Sequence, residues 1–162
     1  MSPNQSDLRP GVHFPPPILY LVGLAIAWVI ETRVYRIRLA HSPQIAHTLE
    51  NAGVALLLAG LALTFWGMLT FARAHTGILP GKPASQIVSF GPYRYTRNPM
   101  YTGMATAYLG GSFIMNSGWA FILLPLVMYL IFKLVVQREE AYLTTAFPSE
   151  YEEYRQRVRR WI

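Results

Sequence analysis

Four long apolar runs are the feature that most constrains this chain. They cover residues 18–30, 54–72, 100–115 and 119–136. A helix that crosses the hydrocarbon core of a bilayer needs about 20 predominantly apolar residues, within a range of about 17–25. The second and fourth runs have this length, and the third reaches it if Pro99 and Asn116 are included. We therefore expect an all-α integral membrane bundle of about four transmembrane helices.

The first run is the shortest and leaves two interpretations open. It crosses the bilayer only if the helix continues through Glu31 to Val34 or Tyr35, with the Arg33 side chain reaching back to the headgroups. The alternative is a helix that lies in the membrane surface.

Composition agrees with a membrane protein. Only 14% of the residues are charged and the mean hydropathy is +0.26, whereas soluble domains carry about 25% charged residues. The net charge of +6 would suit nucleic acid, but nucleic-acid binding does not explain the apolar surplus. The chain has no Cys, and its four His residues lack the spacing of metal ligands. We expect no metal and no nucleic-acid partner.

The distribution of Lys and Arg predicts the orientation of the bundle. With four spans, the N-terminal tail, the loop after the second run and the C-terminal tail share one side. That side holds all of the 14 Lys and Arg residues except Arg33, Arg36 and Arg38. Cytoplasmic flanks of transmembrane helices carry an excess of these residues. We therefore expect both termini and the long loop to be cytoplasmic, in a bacterial inner membrane.

The chain is predicted to form a single domain, residues 1–162. Residues 1–17 form a polar, Pro-rich tail without the basic start of a signal peptide, so we expect no cleavage there. Small residues recur at spacings that let transmembrane backbones approach closely, although Gly is common in membrane helices in any case. These residues are Gly53, Gly60 and Gly67 on the second run and Gly103, Ala107 and Gly111 on the third.

A polar stretch, SFGPYRYTRNPMYTGM, precedes the third run. Asn98 and Pro99 predict a helix start, with Asn as the cap and Pro at the first helical position. Gly91 is expected to form a turn with the Pro that follows it. A purely structural interpretation accounts for most of this stretch, since Tyr and Arg are common at membrane surfaces.

The fourth run continues into a charged segment. Arg138, Glu139 and Glu140 lie within about one helical turn of the expected membrane edge. Adjacent carboxylates are costly near hydrocarbon and usually have a partner or a function. Either these carboxylates lie in water where the helix leaves the membrane, or they pair with a cation, which could be Arg94, Arg97 or a bound ligand.

A C-terminal amphipathic helix is expected from Ser149 to residue 162. Ser149 followed by Glu152 matches a capping box. Aromatic and apolar residues recur at spacings of four and three, and could either lie on the membrane surface or close a cavity as a lid. They are Phe147, Tyr151, Tyr154, Val158 and Trp161.

Two motifs together carry a family resemblance. HTGILPGKPASQIVSFGPYRYTRNPMYTG, followed by a span and then REEAYLTTAFPSEYEEYRQRVRRWI, resembles the isoprenylcysteine carboxyl methyltransferase family and the related phospholipid N-methyltransferases. The resemblance covers residues 75–162, about half of the chain. It implies a cytoplasmic site for S-adenosylmethionine and a lipid-like or prenylated substrate that enters from the bilayer.

The resemblance also assigns residues by motif position. Arg138 and Glu139 are its catalytic candidates, with Arg138 near the methyl acceptor. Two departures are that Asn98 replaces a His of eukaryotic members and that Pro148 replaces a frequent Gly. The implied cofactor-binding residues are Tyr93, Arg97, Asn98, Tyr101, Gly103, Glu139 and Glu140.

The chemistry of the cofactor agrees with these residue types. Glu139 or Glu140 can bind its ammonium group, Arg97 can bind its carboxylate, and Tyr rings can hold the adenine and the sulfonium. Methyl transfer depends on positioning more than on acid–base catalysis, so the lack of a catalytic Cys is no objection. No G-x-G-x-x-G motif is present, which excludes the soluble dinucleotide-binding mode.

Two other functions are compatible with the sequence. One is an NADPH-dependent membrane reductase of the sterol-reductase type, and the other is a non-enzymatic membrane protein of the same fold. For a methyltransferase, the acceptor also stays open between a prenylcysteine carboxylate, methylated on oxygen, and a phosphoethanolamine, methylated on nitrogen.

Overall fold

The computed structural model describes residues 15–74 and 84–161, and these residues form five helices and no β-strand. The all-α prediction is therefore confirmed for the described part of the chain. A π-helical turn, Phe132–Val136, lies inside the fourth helix, and a short 3-10 turn, Gly91–Arg94, precedes the third. The helices are α1 Pro17–Arg33, α2 Pro43–Arg73, α3 Pro99–Ile114, α4 Gly118–Ala146 and α5 Pro148–Arg157.

Helices α2 and α4 are long and apolar enough to cross a membrane. They have 31 and 29 residues, and their best 18-residue windows have mean hydropathies of 2.0 and 2.3. Only 17% and 28% of those windows are buried inside the protein, so most of their apolar side chains face outward. Leu58 and Phe65 are 61% and 60% exposed. Such a surface is stable against lipid and costly against water.

The bundle is held together by close contacts between small residues of α2 and α3. A Cβ added to Gly53 would lie 2.7 Å from the Gly110 carbonyl oxygen, and one added to Gly60 would collide with the backbone of Gly103 and Ala107. These pairings make the two helices antiparallel. The predicted role of small residues is confirmed here.

The prediction of a close backbone contact is wrong for Gly111. An added Cβ on Gly111 would meet only Leu24 of α1, at 3.6 Å, whereas Gly110 contacts the α2 backbone directly. A strict spacing of four residues drifts around an α-helix, which has 3.6 residues per turn. The contact line therefore runs from Gly103 through Ala107 to Gly110.

Helix α1 packs lengthwise along α3 and α4. The Tyr20 hydroxyl donates a 3.0 Å hydrogen bond to the Tyr101 carbonyl oxygen near the start of α3, and Gly23 packs against Tyr108 further along. Helices α1 and α3 therefore run in the same direction, and α2 and α4 run in the other. As a result, the start of α1, the end of α2, the start of α3 and the end of α4 lie at one end of the bundle.

The predicted helix start at Asn98 and Pro99 is confirmed in position, and a tight turn joins α3 to α4. Asn98 is the N-cap residue of α3 with Pro99 at the first helical position, although its side chain does not cap the helix. Between α3 and α4, Asn116 adopts a φ of 47° and the Ser117 side chain accepts a hydrogen bond from the Ala120 N–H. Helices α3 and α4 are therefore joined by a tight hairpin.

The C-terminal helix differs from its prediction at both ends. Helix α5 begins at Pro148 with Phe147 as its N-cap and has no side-chain cap, so the capping box at Ser149 is wrong. Pro148 starts the helix because it needs no hydrogen-bond partner for an N–H. The helix ends at Arg157, and Val158 is extended, with φ −124° and ψ 129°. Residue 162 lies outside the described residues.

Candidate functional site

The predicted site residues meet at the end of the bundle where α3 begins. The 3-10 turn depends on Gly91, which has a φ of 61° and would collide with Thr70 if it carried a Cβ. The turn directs the Tyr93 ring edge-on against Phe71, with the ring centroids 4.9 Å apart. Tyr93 is 4% exposed, so this part of the loop is anchored to the end of α2.

An extended C-terminal segment, residues 158–161, is bound along this loop, and we refer to it as the strap. The Arg97 N–H donates to the Arg159 carbonyl oxygen at 2.9 Å. The Thr96 hydroxyl and the Asn98 side-chain amide both donate to the Arg160 carbonyl oxygen, at 3.0 and 3.1 Å. Asn98 therefore acts on the strap, which explains why it does not cap α3.

The aromatic stripe of α5 faces the same loop. Tyr151, Tyr154 and Val158 are buried in a cluster that includes Ile87 of the loop and Leu143 of α4. The buried Tyr154 hydroxyl donates a 2.7 Å hydrogen bond to the carbonyl oxygen of Tyr93, and burial raises the pKa of Tyr154. The stripe thus packs on protein and not on the membrane surface.

Glu140 is bound by two arginines. Arg160 donates two parallel hydrogen bonds to its carboxylate, Nε to Oε1 at 2.9 Å and Nη2 to Oε2 at 2.8 Å. Arg97 Nη1 lies 3.2 Å from Oε1 of the same carboxylate and donates to the Tyr151 hydroxyl at 3.0 Å. The hydrogen bonds that Arg160 donates to Glu140 raise the pKa of Arg160. Glu140 therefore links the strap, the loop and α4.

Arg160 is a site residue that the sequence analysis missed. Four Arg residues lie within the last eight positions of the chain, and nothing in their spacing distinguishes Arg160 from the others. Of the two predicted partners for the carboxylates, Arg97 makes the contact. Arg94 is exposed, with its guanidinium 5.3 Å from the centre of the Tyr95 ring.

Glu139 has a different environment from its neighbour. It accepts a 2.8 Å hydrogen bond from the hydroxyl of Tyr101, which is 5% exposed. Whereas Glu140 contacts two guanidinium groups, the hydrogen bond that the structure gives to Glu139 comes from a neutral phenol. Glu139 is thus the carboxylate of the pair that is better placed to bind a cation.

Two buried donors near these carboxylates have no hydrogen-bond partner within the described residues. They are Tyr93 Oη and Arg97 Nε. Elsewhere in the described residues, the hydroxyls of Thr102 and Tyr108 are also buried without a hydrogen-bond partner. Burial raises the pKa of Tyr93, and the charge of Glu139 raises it further. The phenol therefore stays protonated and can donate. A buried donor without a partner costs about 1–3 kcal/mol. A ligand that accepts hydrogen bonds from Tyr93 and Arg97 would remove this cost.

The structure brings six of the predicted residues together, namely Tyr93, Arg97, Asn98, Tyr101, Glu139 and Glu140. Gly103 lies instead at the contact of α3 with α2, and the side chain of Arg138 is exposed. Unpaired donors beside a carboxylate suit a ligand that carries both an anionic and a cationic group.

Two further predictions concern metal and the long loop. Within the described residues, no group of three or more His, Asp or Glu side chains could hold a metal ion. The part of the long loop at residues 75–83 and the N-terminal residues 1–14 lie outside the described residues.

The sequence is similar to one family of known proteins and to several individual proteins. Residues 49–150 match the phospholipid methyltransferase family. A protein-S-isoprenylcysteine O-methyltransferase of Schizosaccharomyces pombe is 28% identical over 111 residues, which are 67% of this chain and 47% of that protein. A probable protein-S-isoprenylcysteine O-methyltransferase of Oryza sativa subsp. indica is 26% identical over 108 residues, 65% of this chain and 56% of the relative.

A third relative is covered more fully. Protein-S-isoprenylcysteine O-methyltransferase B of Arabidopsis thaliana is 25% identical over 138 residues, 83% of this chain and 70% of that protein. The chain thus spans only about half the length of the yeast and rice relatives. No solved structure gives a significant match.

Proposed function

This chain belongs to the phospholipid methyltransferase family, and from that membership we propose that it transfers a methyl group from S-adenosylmethionine to a lipid-like acceptor. One structural observation carries the proposal. Tyr93 Oη and Arg97 Nε are buried and have no hydrogen-bond partner among the residues that the structure describes. They lie beside the carboxylate of Glu139, which accepts a hydrogen bond from the Tyr101 phenol. S-adenosylmethionine supplies an activated methyl group on a sulfonium, together with one carboxylate and one ammonium group.

The residues present fit this cofactor. Arg97 and Tyr93 are donors for a carboxylate, and each has one polar atom without a partner in the described part of the chain. Glu139 offers a carboxylate to a cation, held in place by the Tyr101 hydroxyl. We assign the cofactor ammonium to Glu139 and not to Glu140, because Arg160 and Arg97 already contact the Glu140 oxygens.

In this proposal Glu140 is a positioning residue. It holds the guanidinium of Arg97 from one side while the Tyr151 hydroxyl accepts from the same group. It also fixes the strap through Arg160. The strap and α5 then exclude water from the site, so that a polar cofactor meets a lipid acceptor in a dry environment.

The acceptor we favour is a prenylated cysteine carboxylate. The yeast, rice and Arabidopsis relatives are all named for O-methylation of isoprenylcysteine. Arg138 follows the apolar part of α4 and is exposed, so it can approach an anionic group that arrives from the bilayer. The family description favours a second candidate, N-methylation of a phospholipid amine.

We further propose that all four of α1 to α4 cross the membrane, with both termini on the cytoplasmic side of a bacterial inner membrane. The lengthwise packing of α1 against α3 and α4 supports the four-span arrangement. Helix α1 ends at Arg33, just before the Val34 or Tyr35 to which the sequence required it to extend, but it begins at Pro17 and has 17 residues. Helices α1 and α3, of 17 and 16 residues, reach about 24–26 Å. A hydrocarbon core of about 30 Å can thin locally to match them at a modest cost.

A labelling experiment tests the proposed activity. Purified full-length protein is incubated with methyl-labelled S-adenosylmethionine and either a farnesylated cysteine analogue or phosphatidylethanolamine. Label on the cysteine analogue that base releases as methanol identifies a methyl ester, whereas base-stable label on the phospholipid identifies an N-methyl group. Transfer to neither acceptor, in protein that binds the cofactor, would refute both acceptors.

A further inference from the structure

The end of the bundle remote from the proposed methyl-transfer site holds a cavity of about 390 Å³. It lies between the last turn of α1, the connection from α1 to α2, and the hairpin that joins α3 to α4. This volume falls within the range of about 300–1,000 Å³ that is typical of ligand pockets. Along α3 the two ends are about 24 Å apart, so this cavity is separate from the proposed cofactor site.

The walls of the cavity are built by a dense set of hydrogen bonds. The Asn116 side chain bridges both polar groups of the Ala40 backbone, accepting from its N–H at 2.9 Å and donating to its carbonyl oxygen at 2.8 Å. The Gly118 N–H donates to the Ile37 carbonyl oxygen at 2.7 Å. The Trp119 ring N–H donates to the Tyr35 carbonyl oxygen, also at 2.7 Å. The connection after α1 is therefore fixed on the hairpin.

This fixed connection presents two arginines to the cavity. Arg36 and Arg38 both line it, while Ile37 between them packs against Gly118. Alternation of this kind is typical of extended backbone, in which residues two apart point to the same side. Arg36 is 57% exposed, and its Nε lies 3.9 Å from Glu31 Oε1, which is longer than a hydrogen bond. Arg38 is also exposed.

Glu31 reduces the positive charge of the cavity but does not cancel it. Its Oε2 accepts a 2.8 Å hydrogen bond from the Ser117 hydroxyl, and its side chain is only 10% exposed. The carboxylate is thus turned toward the hairpin and orients Arg36. Of the lining residues, two carry a positive charge and one a negative charge, so the cavity favours an anion.

Two further lining residues are apolar. Trp28, which is 55% exposed, and Met115 line the same cavity. Trp is enriched where a membrane helix meets the headgroup layer. Guanidinium groups bind phosphate in a bidentate manner, and basic pockets between transmembrane helices bind anionic headgroups on the cytoplasmic side of other membrane proteins. We propose that this cavity binds the phosphate-bearing headgroup of an anionic lipid, in the leaflet opposite to the methyl-transfer site.

Native mass spectrometry of the full chain, released from detergent with lipid, tests this proposal. We expect the wild-type protein to retain phosphatidylglycerol in preference to phosphatidylcholine. The double variant Arg36→Gln/Arg38→Gln should bind phosphatidylglycerol at least about tenfold more weakly, and the single variant Arg38→Gln about threefold more weakly. The matched control is Arg33→Gln, since Arg33 is the last residue of α1, next to the connection, but does not line the cavity, and it should bind like wild type.

Several results would overturn the proposal. They are equal retention of the two lipids, an equal loss in the Arg33 variant, or no loss in the double variant. Free glycerol 3-phosphate that binds as tightly as phosphatidylglycerol would show that the site takes a soluble phosphate and not a lipid. Binding of S-adenosylhomocysteine should be unchanged in the double variant, which verifies its fold and separates this proposal from the proposed function.

Discussion

At the scale of single residues, the site is defined by which polar atoms are satisfied and which are not. Glu139 and Glu140 are adjacent in sequence but have different partners, a phenol for the first and two guanidinium groups for the second. Neighbouring positions on an α-helix point about 100° apart, so each carboxylate faces a different element. A division of roles follows, with Glu139 toward the ligand and Glu140 toward the strap.

Two tyrosine variants separate ligand binding from stability. Tyr93→Phe removes a buried hydroxyl that has no partner within residues 15–74 and 84–161, so the protein should be as stable as wild type or slightly more stable. Its affinity for S-adenosylhomocysteine should fall about fivefold, because one hydrogen bond contributes about 1 kcal/mol. Tyr154→Phe removes a hydroxyl that donates to the Tyr93 carbonyl oxygen. It should lower the thermal unfolding midpoint, measured in detergent. Unchanged affinity in the Tyr93 variant would remove that hydroxyl from the site.

The two carboxylates give a second contrast. Glu139→Gln should weaken S-adenosylhomocysteine binding about tenfold or more, since a hydrogen bond to a charged group contributes about 1.5–3 kcal/mol. Its thermal stability should change little. Glu140→Gln should lower the free energy of unfolding by about 2 kcal/mol, because two guanidinium groups lose their anion. If the Glu140 variant keeps full stability, the strap is not held in the way described here.

At the scale of elements, the sequence predicted the helices well and their ends less well. The apolar runs of α2 and α4 predict those helices because a chain segment in lipid must satisfy its own backbone hydrogen bonds, and an α-helix does so. The Ser149–Glu152 pattern failed because Pro148 can start a helix one residue earlier. The extended strap was missed because its bonds come from the backbone of Arg159 and Arg160. Backbone groups leave no signal in the sequence.

The α2–α3 contact gives a prediction at the element scale. Gly60→Ala should lower the free energy of unfolding by about 1–3 kcal/mol, because the new Cβ would collide with the α3 backbone, which cannot move aside as a side chain can. The matched control is Gly111→Ala, whose Cβ would meet Leu24 at an ordinary 3.6 Å. That variant should be neutral or slightly stabilised. Thermal unfolding in detergent compares them, and equal effects of the two would contradict the described contact.

At the scale of the whole molecule, the bundle has two ends with different chemistry. One end combines α3, the end of α4 and the strap around Glu139 and Glu140. The other fixes the α1–α2 connection to the hairpin and presents Arg36 and Arg38. The alternating directions of the helices place the described ends of the long loop and the strap on the same side. The number of apolar runs predicted this topology, whereas the cavity could be recognised only in the structure.

Reporter fusions test the orientation of the bundle in the membrane. Reporter fusions after residue 162 and within residues 39–42 should report opposite sides of the membrane, with the C-terminal fusion cytoplasmic. The reason is that the C-terminal side carries all Lys and Arg residues except Arg33, Arg36 and Arg38. The same side for both fusions would rule out four spans.

Calorimetric titration of the purified full chain tests whether the end of the bundle around Glu139 is a site for S-adenosylmethionine. Wild-type protein should bind S-adenosylhomocysteine saturably and should not bind NADPH. The Glu139→Gln variant should bind S-adenosylhomocysteine about tenfold or more weakly, while Arg33→Gln at the opposite end should match wild type. Binding of NADPH without S-adenosylhomocysteine would indicate a reductase, and binding of neither ligand by folded protein would contradict the account.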